Sequence, residues 1–272
     1  MSAPVPVVLP RLSAGGPIRV GVLVSATGAN LSTLIDLARR QPETVEVCLV
    51  ASHGTTVKAL QVARDHGIEA WPGDFDEQCG LASAATDAAS RAEYRRRARL
   101  WHDGLSRRLR RWEDQHGDLD LIVLAYHRWI EGDLLDRYRG RIINQHPGDL
   151  SALDDAGRRV LVGRDPVRTA IGLGYATTRT SCFLVDESQD GGAVLCQGPP
   201  VSTAGRAATP EDAWEQELRQ KEASDRPCLE WTVLAYAAGR LALTTDRHAD
   251  GSPVVAVDGQ ATALGGWRID HV

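Results

Sequence analysis

At 272 residues, with 43% hydrophobic and 25% charged side chains, the chain is long enough to bury a sizeable core and reads as a globular domain of ordinary size plus an appendage. A net charge of −5 gives no electrostatic footprint for nucleic acid or an anionic membrane, and no apolar run approaches membrane-spanning length. Five widely spaced cysteines (Cys48, Cys79, Cys182, Cys196, Cys228), with no Cys-x-x-Cys pair or zinc pattern, suit buried free thiols in a reducing cytoplasm.

Residues 1–17 are rich in Pro, Gly and Ser and are expected to be flexible; they have neither the basic start nor the continuous apolar core of a signal peptide. A strand is predicted over 18–24, ending in the turn Ser25-Ala26-Thr27-Gly28, and a helix over 30–40 with Leu31, Leu34, Ile35 and Ala38 on its apolar face. Residues 45–51 read as a second strand and 56–66 as a helix that Gly67 ends well. This β-α-β-α order predicts an α/β, Rossmann-like, mostly parallel sheet with helices on both faces. A long polar helical stretch, 83–116, is heavy in Arg and Ala. Its arginines resemble a basic patch, but Glu93, Asp103, Glu113 and Asp114 dilute them, so a solvated helix face is the better reading.

Further on, 119–125 reads as a buried strand, 133–138 as a short helix ended by Gly140, and Ile142-Ile143 as a strand. A helix is predicted over 167–173, and strands over 180–185 and 193–197 flank a turn at Asp190. Two helices follow, over 209–223 with Pro210 in its first turn and over 228–238. The tail reads as a small hairpin, 254–258 with 261–267, around Asp258-Gly259.

Chemistry concentrates near the predicted strand ends. Asn144-Gln145-His146-Pro147 follows one apolar run and Asp190-Gly191-Gly192 follows another, which is where catalytic groups of open α/β sheets gather. An amide can donate to a developing oxyanion, an imidazole can move protons near neutral pH, and a carboxylate can orient or charge that imidazole. Each segment alone is more often a turn than a site; together they point to a site. The turn before the first helix, with Gly28, Ala29 and Asn30, offers free N–H groups to an anion. It is neither a dinucleotide loop of the Gly-x-Gly-x-x-Gly type nor a Walker loop.

The linear order of these segments resembles the formyltransferases that use 10-formyltetrahydrofolate, above all the glycinamide ribonucleotide transformylase branch. Val24 to Leu31 resembles the family's phosphate loop, and Leu124-Ala125-Tyr126-His127-Arg128-Trp129-Ile130 is similar to the segment whose backbone holds the pterin. Gly140 to Pro147 resembles the Asn-x-His-Pro motif, and Val185-Asp186-Glu187-Ser188-Gln189-Asp190-Gly191-Gly192 the folate loop with its Asp. Glu222, five residues before Pro227, falls where the family keeps a Glu that contacts the amine substrate.

The resemblance implies the formyltransferase fold over 18–205, with 206–272 as C-terminal helices and a hairpin packed on it. It implies 10-formyltetrahydrofolate as co-substrate, held by Arg128, Trp129, Ile130, Val185 and Asp186, and a small-molecule amine held by Gly28, Ala29, Asn30, Asp149 and Glu222. Asn144, His146 and Asp190 become the catalytic groups, with Asp190 expected to keep His146 charged. No metal, nucleic acid or membrane is implied, the location is cytoplasmic, and the exposed ends and hairpin tail could support a homodimer.

Three departures bear on the acceptor. Pro147-Gly148-Asp149-Leu150-Ser151 replaces the usual Pro-Ser-Leu-Leu-Pro, Phe183 stands where the branch has a His, and Gly163-Arg164-Asp165 replaces Gly-Leu-His. They turn the expectation slightly towards an amine of a specialised pathway, such as a natural-product intermediate. Glycinamide ribonucleotide of purine biosynthesis is the alternative acceptor. A formyltetrahydrofolate hydrolase or a non-catalytic folate-binding protein comes after that; the second is disfavoured because Asn144, His146 and Asp190 are all present.

Overall fold

The computed structural model describes residues 7–13 and 15–270. In chain order the elements are β1 (Val7–Val8), β2 (Ile18–Val24), α1 (Ala29–Arg40), β3 (Val45–Ser52), α2 (Lys58–Asp65), β4 (Glu69–Trp71), α3 (Phe75–Cys79), α4 (Ala88–His116), β5 (Leu121–Ala125), α5 (Asp133–Arg137), β6 (Ile142–His146), α6 (Pro166–Gly172), β7 (Thr177–Thr178), β8 (Ser181–Leu184), β9 (Val194–Gln197), β10 (Val201–Ser202), α7 (Pro210–Gln220), α8 (Arg226–Ala237), β11 (Leu241–Arg247), β12 (Pro253–Val257), β13 (Gln260–Ala261) and β14 (Trp267–Arg268). They fall into two compact units, one of residues 11–142, the other of 143–270 with 7–10.

In the 11–142 unit, β5, β2, β3 and β4 lie side by side in that order, all parallel. β2, Ile-Arg-Val-Gly-Val-Leu-Val, is buried almost throughout, the near-continuous apolar run of a parallel strand covered on both faces. A Cβ on Gly21 would stand 2.9 Å from a Leu119 methyl, so close packing requires a glycine there. The α/β order expected from sequence is realised; the three-residue β4, with one buried side chain, is too short to show a period and was not anticipated.

The long polar helix starts later than expected, at Ala88. Asp87 fixes that point through a capping box: its carboxylate accepts from the Ser90 amide, and the Ser90 hydroxyl meets the Asp87 amide. The helix is not merely solvated. Ala98, His102, Leu105, Ser106, Leu109, Trp112 and Glu113 form a buried stripe spaced by three and four residues.

In the 143–270 unit, β6, β8 and β9 pair antiparallel and β14 adds to β9 in parallel. The strand expected at Ile142-Ile143 continues to His146, so Asn144 and His146 lie within a strand rather than beyond its end. Helix α7 stops at Gln220, and a π turn over Lys221–Asp225 joins it to α8, with Pro227 in the first turn of α8. A smaller antiparallel sheet runs β1-β11-β12-β13. The tail hairpin turns at Asp258 and Gly259, both at positive φ, as a two-residue hairpin loop needs. Its second arm ends at Ala261; Trp267 instead pairs beside Cys196 on β9 and stacks flat on Trp231. The stretch expected to be flexible contains β1, which pairs with β11, a strand the sequence reading passed over.

All five cysteines are free thiols, four of them buried. Among the described residues no helix is long and apolar enough to cross a membrane.

Leu109 is fully buried in the α4 stripe, whereas Arg110 beside it is exposed. Replacing Leu109 by Ala should cost about 2–5 kcal/mol in urea unfolding. The Arg110→Ala change should stay within about 0.5 kcal/mol. Equal effects would mean that α4 does not pack through this stripe.

Candidate active site

Alternation along β6 puts Asn144 and His146 on one face and Gln145 on the other. The Gln145 amide donates to the Asp225 carbonyl (2.7 Å), which anchors the strand to the π turn. Asn144 is half-buried, and among the described residues no hydrogen bond occupies its side-chain amide. Its cross-strand neighbour is Phe183, buried against Leu150, Val194 and Val185. An apolar wall beside a free amide keeps the local dielectric low, which strengthens any hydrogen bond made there.

His146 is only 5% exposed. Its Nε2 lies 2.7 Å from the Leu161 carbonyl, which can only accept, so Nε2 carries the proton. Nδ1 faces the Asp190 carboxylate at 3.8 Å, too far for a direct hydrogen bond. Burial pushes the imidazole below its ordinary pKa; Asp190 and the Leu161 carbonyl pull it up, while the charge of Arg159 adds to the depression. The resting His146 is therefore neutral near pH 7, with the Nδ1 lone pair turned to the carboxylate. This corrects the expectation that Asp190 keeps it charged: a carboxylate at this distance returns less than burial removes.

Asp190 adopts a left-handed backbone (φ 52°), unusual for a side chain bearing a Cβ. Its carboxylate accepts from the Gly163 amide (3.0 Å). Arg159 donates to the Asp190 carbonyl and to the Gly192 carbonyl (2.9 Å). A Cβ on Gly192 would collide with the Leu184 carbonyl, and one on Gly148 would collide with the Leu161 carbonyl that holds His146. Both glycines are thus steric requirements of the site.

Sequence reasoning missed Arg159, the Leu161 carbonyl and the Gly163 amide. Arg159 looks like any other arginine in an Arg-rich chain, and backbone partners leave no sequence signal. The changed stretch at Gly163 carries the amide partner of Asp190 on its main chain, which its sequence does not signal.

The other expected residues of this unit divide. Val185 and Asp186 follow β8, and Asp186 accepts from the Ser188 amide (2.8 Å) and hydroxyl to shape the loop. Glu222 is exposed in the π turn, a feature frequent at functional sites. Nearby, burial pushes the Asp225 carboxyl up to about 6, against a hydrogen bond with Thr180. Asp149 is engaged internally: its Oδ1 accepts from Ser151 and from Gln197 (2.6 Å), and Arg179 lies 3.9 Å from its Oδ2.

In the 11–142 unit, Gly28 holds the left-handed conformation (φ 89°) that starts α1, 3.0 Å short of the Ala59 methyl were it to carry a Cβ. No side chain caps this helix, so its first amides, those of Ala29 and Asn30 among them, point outward unpaired within the helix. The Ser25 hydroxyl accepts from the His127 amide (2.9 Å), tying the two loops together. Arg128 spends its guanidinium on Asp76 (2.7 Å), so the 128–130 segment offers backbone rather than that charge. Trp129 is 40% exposed, with Arg95 over its ring, and Ile130 is buried.

Residues 18–223 match the family model described as Formyl transferase. The trifunctional purine biosynthetic protein adenosine-3 of Drosophila melanogaster is 30% identical over 182 residues, which cover 66% of this chain and 11% of that protein. The chain thus spans a small part of the curated relatives it matches. Among solved structures, glycinamide ribonucleotide transformylase 1 from Symbiobacterium toebii superposes with a TM-score of 0.64 at 24% identity, covering 89% of this chain and 94% of that one. A formyltetrahydrofolate deformylase from Pseudomonas putida KT2440 gives 0.61 at 18%, covering 90% and 72%. These two likenesses speak to the fold.

The state of His146 is open to direct measurement. Nitrogen NMR of the imidazole should show a neutral, Nε2-protonated ring at pH 7 and a titration midpoint below 6.5. Because the folded-state value is depressed, the stability linked to this group is present above pH 6.5 and is lost as pH falls through the folded midpoint. A midpoint above 6.5 would mean that Asp190, not burial, governs the ring.

Proposed function

Because the chain belongs to the formyl transferase family, we propose that it transfers the formyl group of 10-formyltetrahydrofolate to the primary amine of a small molecule, with glycinamide ribonucleotide as acceptor. The observation that carries the reading is the pairing of a free Asn144 amide with a neutral His146 on one strand face, Asp190 beyond it. The amine nitrogen attacks the formyl carbon, and Asn144 donates to the oxyanion that forms. His146 Nδ1 takes the proton the amine loses, and the imidazolium so formed is stabilised by Asp190. Attack has already formed the C–N bond of the product; collapse of the tetrahedral intermediate restores the carbonyl and breaks the bond to folate N10, which takes up the proton held by His146 as it leaves. In the 143–270 unit, Val185 and Asp186 are assigned to the folate and Glu222 to the acceptor; in the 11–142 unit, Trp129, Ile130 and the backbone of Arg128 are assigned to the folate, and Gly28, Ala29 and Asn30 to the acceptor.

Three observations support glycinamide ribonucleotide over the specialised-pathway amine suggested by the departures. The Drosophila relative is a purine biosynthetic protein. The negative charge of Asp149, which would have disfavoured a phosphate, is already met by Ser151, Gln197 and Arg179. The first amides of α1 suit a phosphate.

Incubation with 10-formyltetrahydrofolate should yield tetrahydrofolate only when glycinamide ribonucleotide is present. Release without any amine would point to a hydrolase, and release only with other amines would restore the specialised acceptor. In the active protein, Asn144→Ala should lower kcat by about 10²–10³-fold while Trp129 fluorescence still reports binding of a non-transferring folate analogue. Near-normal turnover in that variant would remove Asn144 from the oxyanion site.

A further inference from the structure

The turn carrying Asp190 is held from a direction that the transfer chemistry does not use. Every nitrogen of the Arg159 guanidinium is engaged: Nη1 with the Asp190 carbonyl, Nη2 with the Gly192 carbonyl (2.9 Å), and Nε with Asp250 Oδ2 (2.7 Å). The two side chains are 5% and 4% exposed. A buried guanidinium needs a counter-charge, because the desolvated cation is otherwise strongly unfavourable. Asp250 supplies it from the turn between β11 and β12, outside the residues that match the family model.

Asp250 is itself fixed. Its Oδ1 accepts from the Ser252 amide (3.0 Å) and hydroxyl (2.7 Å). Burial pushes the Asp250 carboxyl up, but the Ser252 and Arg159 hydrogen bonds outweigh this and hold it below the ordinary range. The tip of the β11–β12 hairpin also seats against the loop that bears Arg159: a Cβ on Gly157 would stand 3.2 Å from the Ala249 carbonyl, and a bridge between Leu153 and Arg159 closes that loop.

We propose that the β11–β12 hairpin is a strut for the active site, and that Asp250 and Arg159 are positioning residues that set the Asp190 carboxylate against His146. Asp190 stands in a left-handed conformation that is unfavourable for a residue bearing a Cβ. Such a conformation persists where its surroundings over-determine it. Arg159 does so by grasping the carbonyls on either side of Gly191, and Asp250 keeps Arg159 in place. Neither residue touches the reacting groups. The inference rests on the catalytic reading of Asp190 given above, and its test separates the two.

The experiment is a double-mutant cycle of Asp250→Asn and Asp190→Asn, with kcat, acceptor KM and the His146 NMR titration measured for each. Asp250→Asn alone should lower kcat by about 10- to 100-fold with KM changed by less than about twofold, the size expected of a misplaced catalytic group. In the Asp190→Asn background the same change should cost nothing further. The His146 midpoint should fall in Arg159→Lys, which keeps both charges of the pair, as the carboxylate that raises it drifts away; in Asp250→Asn the uncompensated Arg159 charge lowers it as well. Should Asp250→Asn not fold, Arg159→Lys provides the same reading, since it keeps the charge but cannot reach both carbonyls. Equal losses from Asp250→Asn in both backgrounds, or an unmoved His146 midpoint in Arg159→Lys, would overturn the strut. An Asp190→Asn protein with full turnover would overturn the catalytic reading of Asp190 instead, and the His146 midpoint would still decide whether Asp250 positions the turn.

Discussion

Everything proposed for the catalytic unit depends on five residues of one loop, Arg159 to Gly163. From this segment the Leu161 carbonyl fixes the His146 tautomer, the Gly163 amide fixes the Asp190 carboxylate, and the Arg159 side chain fixes the backbone of the Asp190 turn. A neutral imidazole has two tautomers, and only the one protonated at Nε2 leaves Nδ1 able to take a proton. The loop selects that tautomer with a single main-chain oxygen. Gly148 is the corresponding steric condition, since any Cβ there would push that oxygen away.

The balance of forces on His146 explains why the carboxylate stands off. An Asp190 in direct contact would favour the imidazolium in the resting state and leave no base for the amine. At 3.8 Å, with burial opposing charge, the ring rests neutral and the carboxylate acts most strongly once a proton arrives. On the proposed mechanism the stand-off distance matters to function, and it is set by bonds to the backbone of the turn rather than by any contact between the two side chains. This makes the Arg159–Asp250 pair consequential despite its remoteness from the chemistry.

Much of the frame was legible in the sequence because it rests on local pattern. The apolar run 18–24, the glycine before α1, and Asn144, His146 and Asp190 each announce themselves within a few residues. What escaped depends on pairs far apart in the chain or on main-chain atoms. Strand β11 is half exposed and lacks clean alternation, so only its partners β1 and β12 define it. Asp250 and Arg159 meet across ninety-one residues, and neither stands out among its like-charged neighbours. The buried stripe of α4 was hidden by the arginines between its members, whose charge dominates the composition but not the packed face.

The departures around the site acquire a common physical sense once their partners are known. Asp149 adds a carboxylate, but Gln197 and Ser151 saturate it and Arg179 faces it, so it shapes its loop rather than presenting charge to an acceptor. Phe183 removes a titratable ring but packs against Leu150 and Val194 beside Asn144, drying the place where the oxyanion would form. Gly163, at φ 82°, presents the amide that Asp190 needs. Each change alters how the proposed transfer centre is supported while leaving Asn144, His146 and Asp190 in place. On the proposed reading, acceptor choice in this unit falls to a group outside that centre, the exposed Glu222, whose charge suits an amine.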